Sequence, residues 1–180
     1  MVWELLGVLF ISFLGSLLHF VFDWSGGFLP VALVAAVNES VWEHLKLGVW
    51  PALFYSLIEY RYLKQSTNNF IVAKAICIYS IPVSIVVLFY SYTFILGHGN
   101  LIMDILIFYV AIIIGQLASY KFLTKSPLSP IFSKMALAAI IVLLVVFVVF
   151  TFYPPHLDLF RDPITAVSYT HLTLPTIYSV

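Results

Sequence analysis

The sequence predicts an all-α integral membrane bundle of about five spanning helices, with one short re-entrant or interfacial helix. Three observations carry that prediction. Mean hydropathy is +1.09, well outside the range of soluble chains. Only 9% of the 180 residues are charged, while 63% are hydrophobic. Runs of about twenty apolar residues recur along the chain, which is the length needed to cross a hydrocarbon core. The length fits a single domain, taken here as residues 1–166.

The first span is predicted at about Val2 to Phe22. It has no Lys or Arg before it and no small-residue cleavage site after it, so it reads as a retained span and not a signal peptide. "SGGFLPVALVAAV" follows. Its apolar run is too short to span, and Pro30 suits a helix start, so it reads as re-entrant or interfacial. The alternative is an extension of the second helix, broken near Asn38. The second span is predicted at about Glu39 to Tyr60, with Asn38 or Ser40 as its cap. The third runs from about Phe70 to Leu96, the fourth from Leu101 to Phe122, and the fifth from Ile131 to Phe152. Pro51 and Pro82 fall inside the second and third and are candidates for kinks.

Positive charge sets an expected orientation. Arg61, Lys64 and Lys74 lie at the second-to-third connection. Lys121, Lys125 and Lys134 lie around the fourth-to-fifth. The positive-inside rule then puts the N-terminus in the cytoplasm and the C-terminus outside. Tyr60, Tyr62 and Tyr120 fit an inner aromatic belt, and Trp24, Trp42 and Tyr153 an outer one. Glu59 is expected to pair with Arg61 at the inner rim.

This topology gathers polar groups at the outer face. "LHFVFDW" closes the first span with His19 and Asp23 at i and i+4. "NESVWEHLK" opens the second with Glu39, Glu43, His44 and Lys46, of which Glu43 and Lys46 also suit an intrahelical ion pair. "HGNLIMD" opens the fourth with His98 and Asp104, and "YPPHLDLFRDP" follows the fifth with His156, Asp158 and Asp162. His44 lies about 8 Å below its helix start, and His19 a similar depth below Trp24. Ionisable groups at such depth are costly to leave facing lipid, so they are expected to turn inward and pair or hold an ion.

Histidine and carboxylate from separate segments form a donor set for a divalent metal such as zinc. The expected ligands are His19, Asp23, His44, His156 and Asp158, with Glu39 and Glu43 as catalytic carboxylates. No strong local metal motif supports this: "SVWEH" has Ser40 where an H-x-x-E-H block has its first histidine. The structural alternatives are an interfacial His19–Asp23 pair, a plain helix start, and a proline-rich stop after the fifth span.

Net charge is +0 and no basic patch exists, which argues against nucleic acid as a partner; the lipid bilayer is the expected one. Cys77, the single cysteine, sits in an apolar run and reads as a core residue. The tail "VSYTHLTLPTIYSV" looks foreign. GTC TCT TAT ACA CAT CTG ACG CTG CCG ACG, a transposon-based sequencing adapter, translates to Val167 through Thr176 without a break. Residues 167–180, His171 included, are therefore expected to be adapter translation, with the native sequence after Ala166 replaced.

At "NESVWEHLK" and "YPPHLDLFRDPIT" the chain resembles an uncharacterised family of small bacterial multipass membrane proteins, a domain-of-unknown-function group. The resemblance implies a protein of the bacterial cytoplasmic membrane and brings no activity with it. A looser likeness is to intramembrane metal hydrolases of the ceramidase and progestin-receptor type, whose paired H-x-x-x-H block is missing here. The expected function is a metal-binding membrane protein with its site at the extracytoplasmic face, and hydrolysis is the reaction such a site would suit. A transporter or ion- or proton-relay component is the alternative, and a structural scaffold is the third reading. An apolar middle to the spans argues against a conduit.

Overall fold

A computed structural model describes residues 1–163, so the adapter-like tail lies outside the described residues. It contains five long helices and, among the described residues, no strand. These are α1 (Val2–Trp24), α2 (Val41–Leu63), α3 (Phe70–Leu96), α4 (Leu101–Leu123) and α5 (Pro130–Phe152). Short 3-10 helices lie at Leu29–Leu33 and Asp158–Phe160. The segment between α1 and α2 is thus a brief 3-10 turn beginning next to Pro30, separated from α2 by a run of turn and bend residues.

Local signals explain the boundaries. Ser40 caps α2, its Oγ accepting from the Glu43 N–H at 3.4 Å. Asn38 Oδ1 in turn accepts from the Ser40 N–H at 2.9 Å, which turns the chain into the helix. Asn100 caps α4 by accepting from the N–H groups of Ile102 and Met103. Gly97 ends α3 with φ of 75°, a left-handed conformation open to glycine at little cost. Pro130 opens α5, where its missing N–H is no loss.

α1, α3, α4 and α5 are long and apolar enough to cross a membrane. α2 has the same 23 residues as α1 but carries Glu43, Lys46 and Glu59, all buried. Charged side chains on a helix among lipid tails must be sheltered by neighbours. α2 accordingly packs against α1 and α3, and the Asp158–Phe160 turn folds back over its start. Trp42 stacks on Phe147 of α5 and meets Phe160 at a tilt, with centroids 4.6 and 4.7 Å away. Trp42 is therefore a core residue at 8% exposure and not part of an aromatic belt, whereas Trp24 and Tyr153 are exposed as expected.

Between helices among lipids, close packing replaces the hydrophobic drive, and small residues let backbones approach. Gly15 shows this most clearly. A Cβ built there would lie 2.4 Å from the Leu47 carbonyl oxygen of α2. That carbonyl is the one Pro51, four residues on, leaves without its helical N–H partner. The bare Gly15 backbone fills the place against it.

Asn69 ties two loops together. Its Nδ2 donates to the carbonyls of Phe122, Lys125 and Ser126, and its Oδ1 accepts from the Leu128 N–H. Asn69→Ala is expected to cost about 1–3 kcal/mol by orphaning those groups. Reaction of buried Cys77 with a thiol dye during heating would read the loss; an unchanged melting curve would show that the loop holds without Asn69.

Glu59 pairs with Lys74 of α3, not with Arg61, which is exposed. Lys74 is consequently a buried side chain and drops out of the count of loop charges.

Candidate functional site

Fifteen residues separate Glu4 from His19 on α1, and fifteen separate His44 from Glu59 on α2. The two helices run antiparallel in register, so His19 meets His44 at one end and Glu4 approaches Glu59 about 22 Å away. The imidazole end is the site the sequence pointed to.

Here Glu39, just before α2, stands against both rings. Its Oε1 is 3.8 Å from His19 Nε2, and its Oε2 is 3.5 Å from His44 Nε2. The ring centroids are 5.1 Å apart. One ligand atom from each of the three residues falls within 4.8 Å of the others. All three side chains are part-exposed, at 28%, 35% and 43% for His19, His44 and Glu39, so the group is reachable from outside the bundle.

The main chain orients one ring. His44 Nδ1 lies 2.8 Å from the Ser40 carbonyl oxygen, one turn back on the helix. A carbonyl can only accept, so Nδ1 carries the proton and donates it. In the neutral ring the Nε2 lone pair would then face Glu39 and His19, which is the tautomer a metal ligand needs. His19 Nδ1 is buried without a hydrogen-bond partner among the described residues. The position of His19 is set by packing, because Gly15 sits one turn earlier on the same face, against Leu47.

Glu43 takes no place among these ligands. It is 2% exposed and forms an ion pair with Lys46 at 2.5 Å, while Oε2 also accepts from the Val37 N–H at 3.1 Å. Lys46 Nζ donates to the Ala32 carbonyl at 2.9 Å and to Thr151 Oγ1 at 3.1 Å. The pair joins α2, α5 and the 31–40 loop, and so fixes the loop that carries Glu39.

The other expected ligands lie elsewhere. Asp23 is exposed one turn beyond His19. His156 and Asp158 are exposed in the segment after α5. None of the three contributes to the gathered ligand atoms. His98 is exposed in the α3–α4 turn, and Asp104 accepts a hydrogen bond from Tyr92. Two positioning features escaped the sequence reading: the Ser40 carbonyl and Gly15. The first had a signal, since His44 stands four residues after Ser40, at helical spacing.

Gly15→Val is expected to push α1 from α2 and cost about 1–3 kcal/mol by overpacking. It should also weaken metal binding, since His19 rides on the same face. Thermal unfolding and zinc titration of the variant check both parts, and wild-type values in both would remove Gly15 from any positioning role.

No curated protein and no solved structure matches this chain. One family model, described as a family of unknown function, DUF6512, matches residues 1–169. The chain with this imidazole–carboxylate group at the mouth of its buried charged helix therefore belongs to the DUF6512 family of unknown function.

Proposed function

We propose that this is a five-span protein of the bacterial cytoplasmic membrane that binds a divalent transition metal through His19, Glu39 and His44 and uses it for hydrolysis. In this reading α2 is the fifth span, sheltered by its neighbours. Exposed Arg61, Lys64, Lys121, Lys125 and Lys134 favour a cytoplasmic N-terminus with the imidazole end outside.

The observation that carries the metal reading is the His44 tautomer held by the Ser40 carbonyl. The spacing also fits. Tetrahedral zinc with bonds of about 2.0–2.1 Å places its ligand atoms about 3.3 Å apart. The His–Glu distances of 3.5 and 3.8 Å, one to each oxygen of Glu39, approach that, and the three donor atoms together lie within 4.8 Å, so the rings would draw in by about an ångström around a metal. Two imidazoles and one carboxylate leave a fourth position open, as catalytic zinc sites do. Zinc held there would supply Lewis acidity and an activated water at neutral pH. The chain's own residues have separate tasks: His19, Glu39 and His44 bind, while Glu43 and Lys46 hold the loop in place.

Elemental analysis of the detergent-purified protein, with any affinity tag removed, tests this. About one equivalent of zinc or another transition metal is expected, by the single set of three ligands. No metal after purification and zinc add-back would overturn it.

A relay of protons or ions is the second reading, favoured by the buried charges on α2. Polar continuity along α2 is poor, however. Between Lys46 and Glu59, Tyr55 donates to the Trp3 carbonyl and Ser56 to the Ala52 carbonyl, and the other residues there are apolar apart from the Trp50 indole.

A further inference from the structure

The opposite end of the bundle holds a second ionisable group that the metal site does not use. Lys74 Nζ of α3 donates to Glu4 Oε1 of α1 at 2.9 Å. The same ammonium lies 2.6 Å from Glu59 Oε2 of α2, at ion-pair distance. Ser119 of α4 donates to Glu4 Oε1 at 3.3 Å. Four helices thus converge on one point, and Glu4, Glu59, Lys74 and Ser119 are each 3% exposed or less.

Two features of this group call for a ligand. The first is charge: within the buried group two carboxyls share one ammonium, one acid in excess, while the Met1 amino group that also faces them is exposed at the cavity and screened by water. An uncompensated charge buried among apolar helices is strongly disfavoured. The second is hydrogen bonding. Glu4 Oε2, Glu59 Oε1 and the amide oxygen of Gln116 are buried without a hydrogen-bond partner. Gln116 lies one turn from Ser119 on α4, and its amide nitrogen abuts Gly7, one turn from Glu4. The site therefore has surplus acceptors and too few donors. A single proton on one carboxyl answers both needs, since it cancels the charge and turns an acceptor into an O–H donor. A metal cation fits less well, because the Lys74 ammonium already occupies the space between the carboxylates.

A route for exchange is present. A cavity of about 340 Å³ is lined by Met1, Trp3, Glu4, Leu63, Thr67 and Leu123. It lies at the end of the bundle where α2 joins α3, and Glu4 is the acid that lines it. The other titratable groups that face the cluster are the Met1 amino group, Tyr55 of α2 and Cys77 of α3.

We propose that Glu4, Glu59 and Lys74 form a proton-binding site that holds one exchangeable proton and trades it with water through this cavity. The proposal stands apart from the metal reading, as it concerns other residues at the other end of α1 and α2.

Infrared spectroscopy of the full chain in phosphatidylcholine vesicles, with the glutamate carboxyl carbons isotopically labelled, tests it. A band from one protonated glutamate is expected at neutral pH, shifting in heavy water and vanishing as pH rises. Glu4→Gln and Glu59→Gln should each abolish it, because one carboxylate then balances one ammonium. Lys74→Met should raise it to the intensity of two carboxyls. Cys77 thiol reactivity identifies any variant that is not folded, and each Gln variant serves if the other fails. Absence of the band in the wild type, its persistence in a folded Gln variant, or its loss on replacing choline chloride with sodium chloride at fixed pH would each overturn the assignment. The last outcome would make the ligand a sodium ion.

Discussion

Lys46→Met is expected to destabilise the bundle by about 3–5 kcal/mol, the usual cost of removing one partner from a buried ion pair. The substitution leaves the Glu43 carboxylate buried at 2% exposure with only the Val37 N–H to satisfy it. It also strips the donor from the Ala32 carbonyl and from Thr151, so the loss spreads from α2 to the loop and to α5. Glu43→Leu with Lys46→Met should recover most of the stability, because an apolar pair leaves no orphaned charge. It should not recover the loop geometry, because the Val37 N–H would then lack its acceptor. The contrast separates the two contributions of the pair. Cys77 offers the readout: it is the single cysteine and is buried, so its reaction with a thiol dye reports unfolding. A downward shift of order 10 °C is expected for the single variant. If Lys46→Met melts with the wild type, the pair is not what holds the 31–40 loop.

The helices were legible because hydropathy and length carry that information directly. α3, α4 and α5 begin and end within a residue of the expected positions, and α1 and α2 within about three. Ser40 was readable as a cap because a hydroxyl before a helix has few other uses. The meeting of His19 with His44 followed from topology, since α1 and α2 are consecutive helices of equal length that pack antiparallel. Other features depend on rotation about the helix axes, which neither length nor hydropathy encodes. Lys74 looked like a loop charge because it lies five residues into α3; only the facing of α3 turns it to Glu59 and Glu4. Glu43 and Glu39 differ by one turn and looked interchangeable as catalytic carboxylates. The structure separates them, because Glu39 precedes the helix and reaches outward, while Glu43 lies inside it and points to Lys46. Trp42 could not be told from a belt residue until Phe160 folded back onto it.

His44→Ala and His19→Ala are each expected to lower zinc affinity by about 100-fold or more, since even an outer-shell partner of a ligand is worth 10–100-fold. Glu39→Gln should weaken binding as well, through loss of the only carboxylate in the group. Ser40→Ala is the informative control. It removes a helix cap, at a cost of about 1 kcal/mol. It leaves the Ser40 main-chain carbonyl in place, so His44 keeps its tautomer and zinc affinity should hold. His156→Ala and Asp23→Asn should leave affinity unchanged, because neither side chain reaches the gathered donor atoms. Acidification should release the metal, because imidazole must be neutral to bind it. Zinc titration in detergent at a series of pH values decides among these. Should His156→Ala also lose the metal, the segment after α5 would have to close over the imidazoles in the bound state, with the Phe160–Trp42 contact as its hinge point. If the histidine variants bind zinc as tightly as the wild type does, Glu39 serves only to bridge two half-buried rings. The end of α2 would then be held together by an ionic network with no metal in it.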